Sequence, residues 1–143
     1  MKILIYGASG ATGHELVNQA LMQGHFVTAF VRNPQKLKIR HDNLTIIQGD
    51  ILNYQLVENA VKGQHAVLSA LGAASPFKYD QSIVDGVNNI IKAMEANSIS
   101  RFLNKKALIP LIQYPQKPTL ALLVTGLNPR ILYRSETFRT SVM

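Results

Sequence analysis

KILIYGASGATG, residues 2–13, joins a short apolar run to three glycines and then to an amphipathic segment, and its reading decides the fold. Ile3, Leu4 and Ile5 are apolar without alternation, the pattern of a strand covered on both faces. Gly7, Gly10 and Gly13 follow three apart, and Leu16, Val17, Ala20 and Leu21 then recur at helical spacing up to Gly24. A strand passing through a glycine turn straight into a helix opens a βαβ unit. Apolar runs at 26–31, 44–47 and 66–71 predict three more strands of the same kind. Leu56, Val57, Ala60 and Val61 predict a helix ending near Gly63, and Ile83, Val84, Val87, Ile90, Ile91 and Met94 predict another over 81–96 with Asp80 as its cap. The alternation predicts an α/β fold around a parallel sheet.

The chain has 143 residues, 47% of them hydrophobic and 16% charged, and no cysteine. These figures fit one modest domain and exclude a disulfide scaffold or a thiolate metal site. No stretch approaches the roughly 20 apolar residues of a membrane-spanning helix, and the first apolar run meets Gly7 too early for a secretory signal, so the expected setting is cytoplasmic with no membrane partner. His14, His25, His41 and His65 are scattered without metal-ligand spacing. The formal charge of +7 is uneven: residues 1–102 hold nine Lys and Arg against seven Asp and Glu, while residues 103–143 hold six against Glu136 alone. With no zinc-finger spacing, long basic run or aromatic-interleaved basic strand, the excess reads as a solvated surface, and no nucleic-acid partner is expected.

The glycine turn carries the chemistry. Its spacing is G-x-x-G-x-x-G, placed where backbone N–H groups approach a pyrophosphate that a Cβ would obstruct, and where a helix N-terminus offers unpaired donors and a positive dipole end. Ser9 and Thr12 add hydroxyl donors, and the expected ligand is a dinucleotide. At the end of the second strand, where NAD-preferring folds carry an acid for the ribose 2′-hydroxyl, stands Arg32. A guanidinium there grips a 2′-phosphate with paired charge-assisted bonds, and Lys36 is close enough in the chain to assist, so NADP(H) is favoured over NAD(H). The bland alternative for both is an ordinary solvated cation. Asp50, just past the third strand, reads equally as an acceptor for the adenine amino group or as a cap for the next helix. Leu71 and Gly72 end the fourth strand at the carboxyl edge of the sheet, where ligands of open α/β sheets collect.

KILIYGASGATG, FVRNPQKL, IIQGDILN and VKGQHAVLSALG, in that order, resemble the cofactor-binding half of the atypical short-chain dehydrogenase/reductases, especially the flavin/biliverdin reductase B-like and NmrA-like members. The resemblance covers about residues 1–102 and implies a Rossmann-like doubly wound parallel sheet with NADP(H) at its switch point. It implies further that Gly7, Ser9, Gly10, Ala11, Thr12 and Gly13 cradle the pyrophosphate, that Arg32 and Lys36 face the 2′-phosphate, and that Asp50 and Ile51 flank the adenine. Leu71 and Gly72 would border the nicotinamide ribose. The expected activity is an NADPH-dependent reductase of a flavin, quinone or other conjugated small-molecule acceptor. A regulatory NmrA-like module without turnover, or an inactive truncated remnant, are the other readings.

The sequence also departs from the pattern. The tyrosine followed four residues later by lysine, which protonates the carbonyl oxygen in many short-chain reductases, is missing: four residues after Tyr6, Tyr54, Tyr79, Tyr114 and Tyr133 come Gly10, Glu58, Ile83, Pro118 and Thr137. Atypical members often lack the pair and rely on placement of the acceptor against the nicotinamide. Phe77 and Tyr79, in the loop after the fourth strand, read either as anchors of that loop or as a stacking platform for a flat acceptor. Ser100-Arg101-Phe102 opens a fifth strand as in the family but continues into Asn104-Lys105-Lys106, with no serine pair. Residues 103–143 form a divergent, basic segment holding Pro110, Pro115, Pro118 and Pro129, in which 107–112 and 120–125 are the two candidate short strands. It completes or flanks the domain of residues 1–102. The abrupt change implies a truncated or frame-altered relative of a longer reductase, and a fourth strand left unpaired would recruit a second copy through its edge.

Overall fold

The computed structural model describes residues 1–72 and 80–104. The expectations for Phe77, Tyr79 and the two candidate strands at 107–112 and 120–125 lie outside the described residues. In chain order the elements are β1 (Lys2–Tyr6), α1 (Ala11–Met22), β2 (Phe26–Val31), a single 3-10 turn (Pro34–Lys36), β3 (Leu44–Gln48), α2 (Tyr54–Val61), β4 (Ala66–Ser69), α3 (Gln81–Ala96) and β5 (Phe102–Asn104). All four strand pairings are parallel, in the order β3-β2-β1-β4-β5. The order reverses between β1 and β4, and such a switch point opens a crevice at the carboxyl ends of the strands.

Both faces of the sheet are covered over β1, β2 and β4, which is why these strands carry near-continuous apolar runs. The edge strand β3 departs from that expectation: none of its residues is fully buried and Ile46 is exposed, because it has a neighbouring strand on one side alone among the described residues. Ile3 and Ile5 of β1, Val27, Ala29 and Val31 of β2, Leu68 of β4 and Leu103 of β5 face one side, where Leu16, Val17, Ala20 and Leu21 of α1 cover them. Leu4, Tyr6, Phe30, Val67 and Phe102 face the other side and meet Val57, Ala60 and Val61 of α2 and Val87, Ile90, Ala93 and Met94 of α3. The odd and even residues of one strand therefore belong to two separate cores. The helices end where their sequences say. Gly24 and Gly63, at φ +78° and +75°, take the left-handed turns after α1 and α2, and Asp80 accepts from the Ser82 amide to cap α3.

Two boundaries differ from the sequence reading by a residue or two. β3 reaches Gln48, because Val31 still pairs with it, and β4 stops at Ser69 rather than at residue 71. Ala70 donates one more bond to Tyr6 O before the chain leaves the sheet to pass over Gly7. The edge of β4 is not open: β5 lies along it with Val67, Leu68 and Ser69 opposite Phe102, Leu103 and Asn104. Among the described residues the sheet edges are β3 and β5.

The amino end of the sheet is tied by two histidines. His65 Nδ1 accepts from the Lys2 amide at 3.0 Å, and the N-terminal amine lies 3.2 Å from His25 Nδ1. His25 is only 7% exposed, and its Nε2 is buried without a partner among the described residues. Burial lowers its pKa below the ordinary histidine value of 6.5, and the positive N-terminus adds to the effect. A lowered pKa in the fold means that the unfolded chain binds more protons near and below that value, so this group's contribution is fully present above it and is lost as pH falls. The urea midpoint should therefore drop between about pH 7 and pH 5, and His25→Phe should flatten part of that drop. Equal slopes for the two proteins in parallel urea melts would show that His25 is not coupled to folding.

Candidate functional site

A cleft of about 400 Å³ opens at the carboxyl ends of the strands. Its walls come from the β1–α1 turn (Gly7, Ser9, Gly10), the end of β2 (Phe30, Val31, Arg32), the β3–α2 loop (Gly49, Asp50, Ile51, Leu52), the end of β4 (Ala70, Leu71, Gly72) and the start of α3 (Asp80, Ser82, Ile83). Eight of the residues singled out from sequence thus share one cleft: Gly7, Ser9, Gly10, Arg32, Asp50, Ile51, Leu71 and Gly72. Ala11, Thr12 and Gly13 sit in the first turn of α1 and do not line it, nor does Lys36, which is exposed in the 3-10 turn.

The three glycines of the turn do different work. Gly7 has φ +71°, and a Cβ on it would lie 2.9 Å from the Ala70 carbonyl carbon and 3.0 Å from Leu71 N. A Cβ on Gly13 would stand 2.1 Å from Gly7 O, so only glycine lets α1 begin this close to β1. Gly10 is different, because among the described residues a Cβ there would meet Gly7 O alone, at an ordinary 3.5 Å. The sequence argument treats all three as marks of a ligand; two of them are demanded by the packing of the chain, and Gly10 alone is kept bare toward the cleft. As the N-cap of α1 it has no side chain to pair with the first-turn amides, and that turn holds no acidic residue. Free amide donors, a positive dipole end and open backbone suit an anion such as a pyrophosphate.

Arg32 is exposed at the end of β2 and is the single cation among the described lining residues. Its carbonyl accepts from Gln48 Nε2 at 3.2 Å, which holds its backbone to β3, and its guanidinium has no partner among the described residues. Asp50 does not cap α2. Its Oδ1 accepts from the Leu52 amide at 2.9 Å, closing a tight turn, while Asn53 Oδ1 caps α2 by accepting from Leu56 N at 3.2 Å. Asp80, the other carboxylate of the lining, accepts from Ser82 N at 3.0 Å.

Tyr6 is no proton donor for this cleft. It is fully buried, its hydroxyl donates to Val57 O at 3.3 Å, and its ring packs on Phe30 with centroids 5.0 Å apart. Burial raises its pKa far above the ordinary phenol value, the opposite of what acid catalysis needs.

Sequence reasoning missed Gly49, Gly86 and Asn89. A Cβ on Gly49 would lie 2.5 Å from Cζ of Phe30, a buried ring packed on Tyr6 that would have to shift. The glycine directly before Asp50 was the available signal. Gly86 makes room for Ile51, and Asn89 bonds to the β3–α2 loop; a polar residue in a helix gives no such warning.

Comparison with known proteins agrees with this geometry. The family model described as NAD(P)H-binding matches residues 7–109. The chain is 40% identical over 74 residues to the uncharacterized protein YwnB of Bacillus subtilis, covering 52% of this chain and 33% of the relative. It is 34% identical over 111 residues to the isoflavone reductase homolog A622 of Nicotiana tabacum, covering 71% and 34%. A solved structure of a Rossmann-fold NAD(P)-binding family protein from Shigella flexneri superimposes with a TM-score of 0.61 at 30% identity, covering 71% of this chain and 49% of that one. The chain therefore spans about a third of the length of these curated relatives.

The sorting of the glycines predicts a split between folding and binding. Gly10→Val should cost no more than about 1 kcal/mol of stability, the scale of an N-cap change, yet weaken NADPH and NADH alike. Gly13→Ala should cost about 3 kcal/mol, the upper end for overpacking, because backbone must move. Urea melts beside nucleotide titrations check both, and a Gly10→Val protein that binds as wild type would show that no ligand passes over that residue.

Proposed function

The chain belongs to the NAD(P)H-binding family, and from that premise we propose that it binds NADPH in preference to NADH and delivers hydride to a flat, conjugated acceptor such as a flavin or quinone. The observation that carries the preference is Arg32. It stands at the end of β2 as the one cation among the described residues of the cleft lining, its backbone tied to β3 and its guanidinium without a partner among those residues. Asp50 and Asp80 share the cleft, but both turn a carboxylate oxygen to backbone amides. A planar guanidinium suits a 2′-phosphate, which offers two oxygens to its paired N–H groups. Lys36, one turn away in the chain, adds positive potential from outside the lining.

The other roles follow from position. Gly7, Ser9 and Gly10, with the first-turn amides of Ala11, Thr12 and Gly13, hold the pyrophosphate at the start of α1. Asp50 and Ile51 flank the adenine, and Leu71 and Gly72 border the nicotinamide ribose at the end of β4. The bound nicotinamide supplies the hydride, and this chain supplies placement and electrostatics. That division of labour fits the buried, acid-incompetent Tyr6 and the missing tyrosine–lysine pair. The reductase name of the Nicotiana relative is in keeping with such an activity.

Arg32→Glu tests the preference directly. Removing a charge-assisted pair and adding a like charge should weaken NADPH binding about a hundredfold and NADH binding by less than about threefold. Nicotinamide emission is a clean readout, since the chain has no tryptophan. Equal losses for the two nucleotides would remove Arg32 from the role. NADPH oxidation in the presence of flavin or quinone acceptors tests turnover, and tight binding without oxidation would favour a regulatory module instead.

A further inference from the structure

The β3–α2 loop supplies a whole wall of the cleft, yet it is a loop of five residues, 49–53, between an edge strand and a short helix. Its first residue is tied to β2, where the Gly49 amide donates to Val31 O at 3.0 Å, and Asp50 Oδ1 and Asp50 O accept from the amides of Leu52 and Asn53. The carbonyls of its middle are held from α3. Asn89 Nδ2 donates to Ile51 O at 3.0 Å and to Leu52 O at 3.3 Å, so one side-chain amide holds two successive carbonyls of the loop. Both partners are acceptors only, which orients the amide without ambiguity: its nitrogen, with two hydrogens, must face the loop.

Two neighbours on the same face of α3 act with it. At Gly86 the missing Cβ leaves the seat for the Ile51 side chain, since an added carbon would lie 2.2 Å from its Cδ1 and 2.5 Å from its Cγ1. Lys92 Nζ stands 4.9 Å from the ring centroid of Tyr54, the first residue of α2. Gly86, Asn89 and Lys92 are spaced three apart, the spacing of one helix stripe. The first turn of α3 also walls the cleft, through Ser82 and Ile83.

We propose that Asn89 is a positioning residue for the dinucleotide: by clamping the carbonyls of Ile51 and Leu52 it holds the loop in the shape that forms the adenine side of the cleft. The proposal rests on the reading of the cleft as a dinucleotide site and adds to it a residue that touches no ligand. It makes a directional claim, because a misplaced loop costs affinity on the adenine side while the β1–α1 turn and the end of β4 are untouched.

Asn89→Leu removes the donor, and Asn89→Asp sets a carboxylate against two carbonyls. Each should weaken NADPH and adenosine 2′,5′-bisphosphate by about tenfold or more, with the Asp variant worse, while reduced nicotinamide mononucleotide binds as to wild type. Gly86→Ala, which unseats Ile51 from the other side, should give the same pattern, and Asn89→Ser serves if the Leu variant does not fold. Equal losses on both halves of the cofactor would reduce Asn89 to a general stabilising residue and overturn the proposal, as would unchanged affinity in a folded variant. A wild-type protein that binds none of the three probes would instead overturn the dinucleotide reading, and the role of Asn89 would fall with it.

Discussion

The rest of this structure depends on how closely the β1–α1 turn passes the end of β4. Gly7 lies against the Ala70 carbonyl with no room for a Cβ, and Gly13 lies against Gly7 O more closely still. Those two contacts set where α1 begins, and so where its free amides and dipole end stand relative to the switch point. A larger residue at either place would separate helix from sheet and move the anion-binding end of α1 away from the crevice. The turn is thus a packing solution first, and one further glycine, Gly10, has open space on its outer side among the described residues, where the proposed pyrophosphate would pass.

Around that turn the sheet divides its residues between two cores. α1 covers one face while α2 and α3 cover the other, packed against one another as well as against β1, β2 and β4. The pairing of α2 with α3 matters beyond stability. It brings a long, well-capped helix alongside the β3–α2 loop, so that a segment with few bonds of its own takes its shape from a rigid neighbour. The same helix starts at the cleft, so both walls share one support.

The electrostatics of the cleft rest on few groups. Among the described lining residues Arg32 is the cation and Asp50 and Asp80 are the anions, and each carboxylate turns an oxygen to the backbone amide two residues on. With the carboxylates so engaged, the guanidinium is the charged group best able to meet a ligand's phosphate. Buried Tyr6, paired with a carbonyl and packed on the lining residue Phe30, takes part in no proton transfer. The chemistry of such a site comes from what it holds and how it holds it.

Strands, helices and the glycine turn were legible in the sequence because each is written in near neighbours: runs of Ile and Val, helical repeats such as Val87–Ile90–Met94, and Asp80 ahead of the last helix. Gathering Gly7, Arg32, Asp50 and Leu71 at one cleft followed from the same information, since parallel strands all present their carboxyl ends on one side. Other features required the fold. That Gly13 serves packing and Gly10 does not depends on distances to Gly7 O, and that Asp50 closes a turn while Asn53 caps α2 depends on which side chain reaches which amide. The bond from Asn89 to Ile51 spans 38 positions, and the seat at Gly86 exists only because α3 lies beside the loop. Contacts of that kind leave no periodic trace in the chain. Local pattern determines which elements form, whereas the role of a single side chain is decided by what distant backbone the packing brings to it.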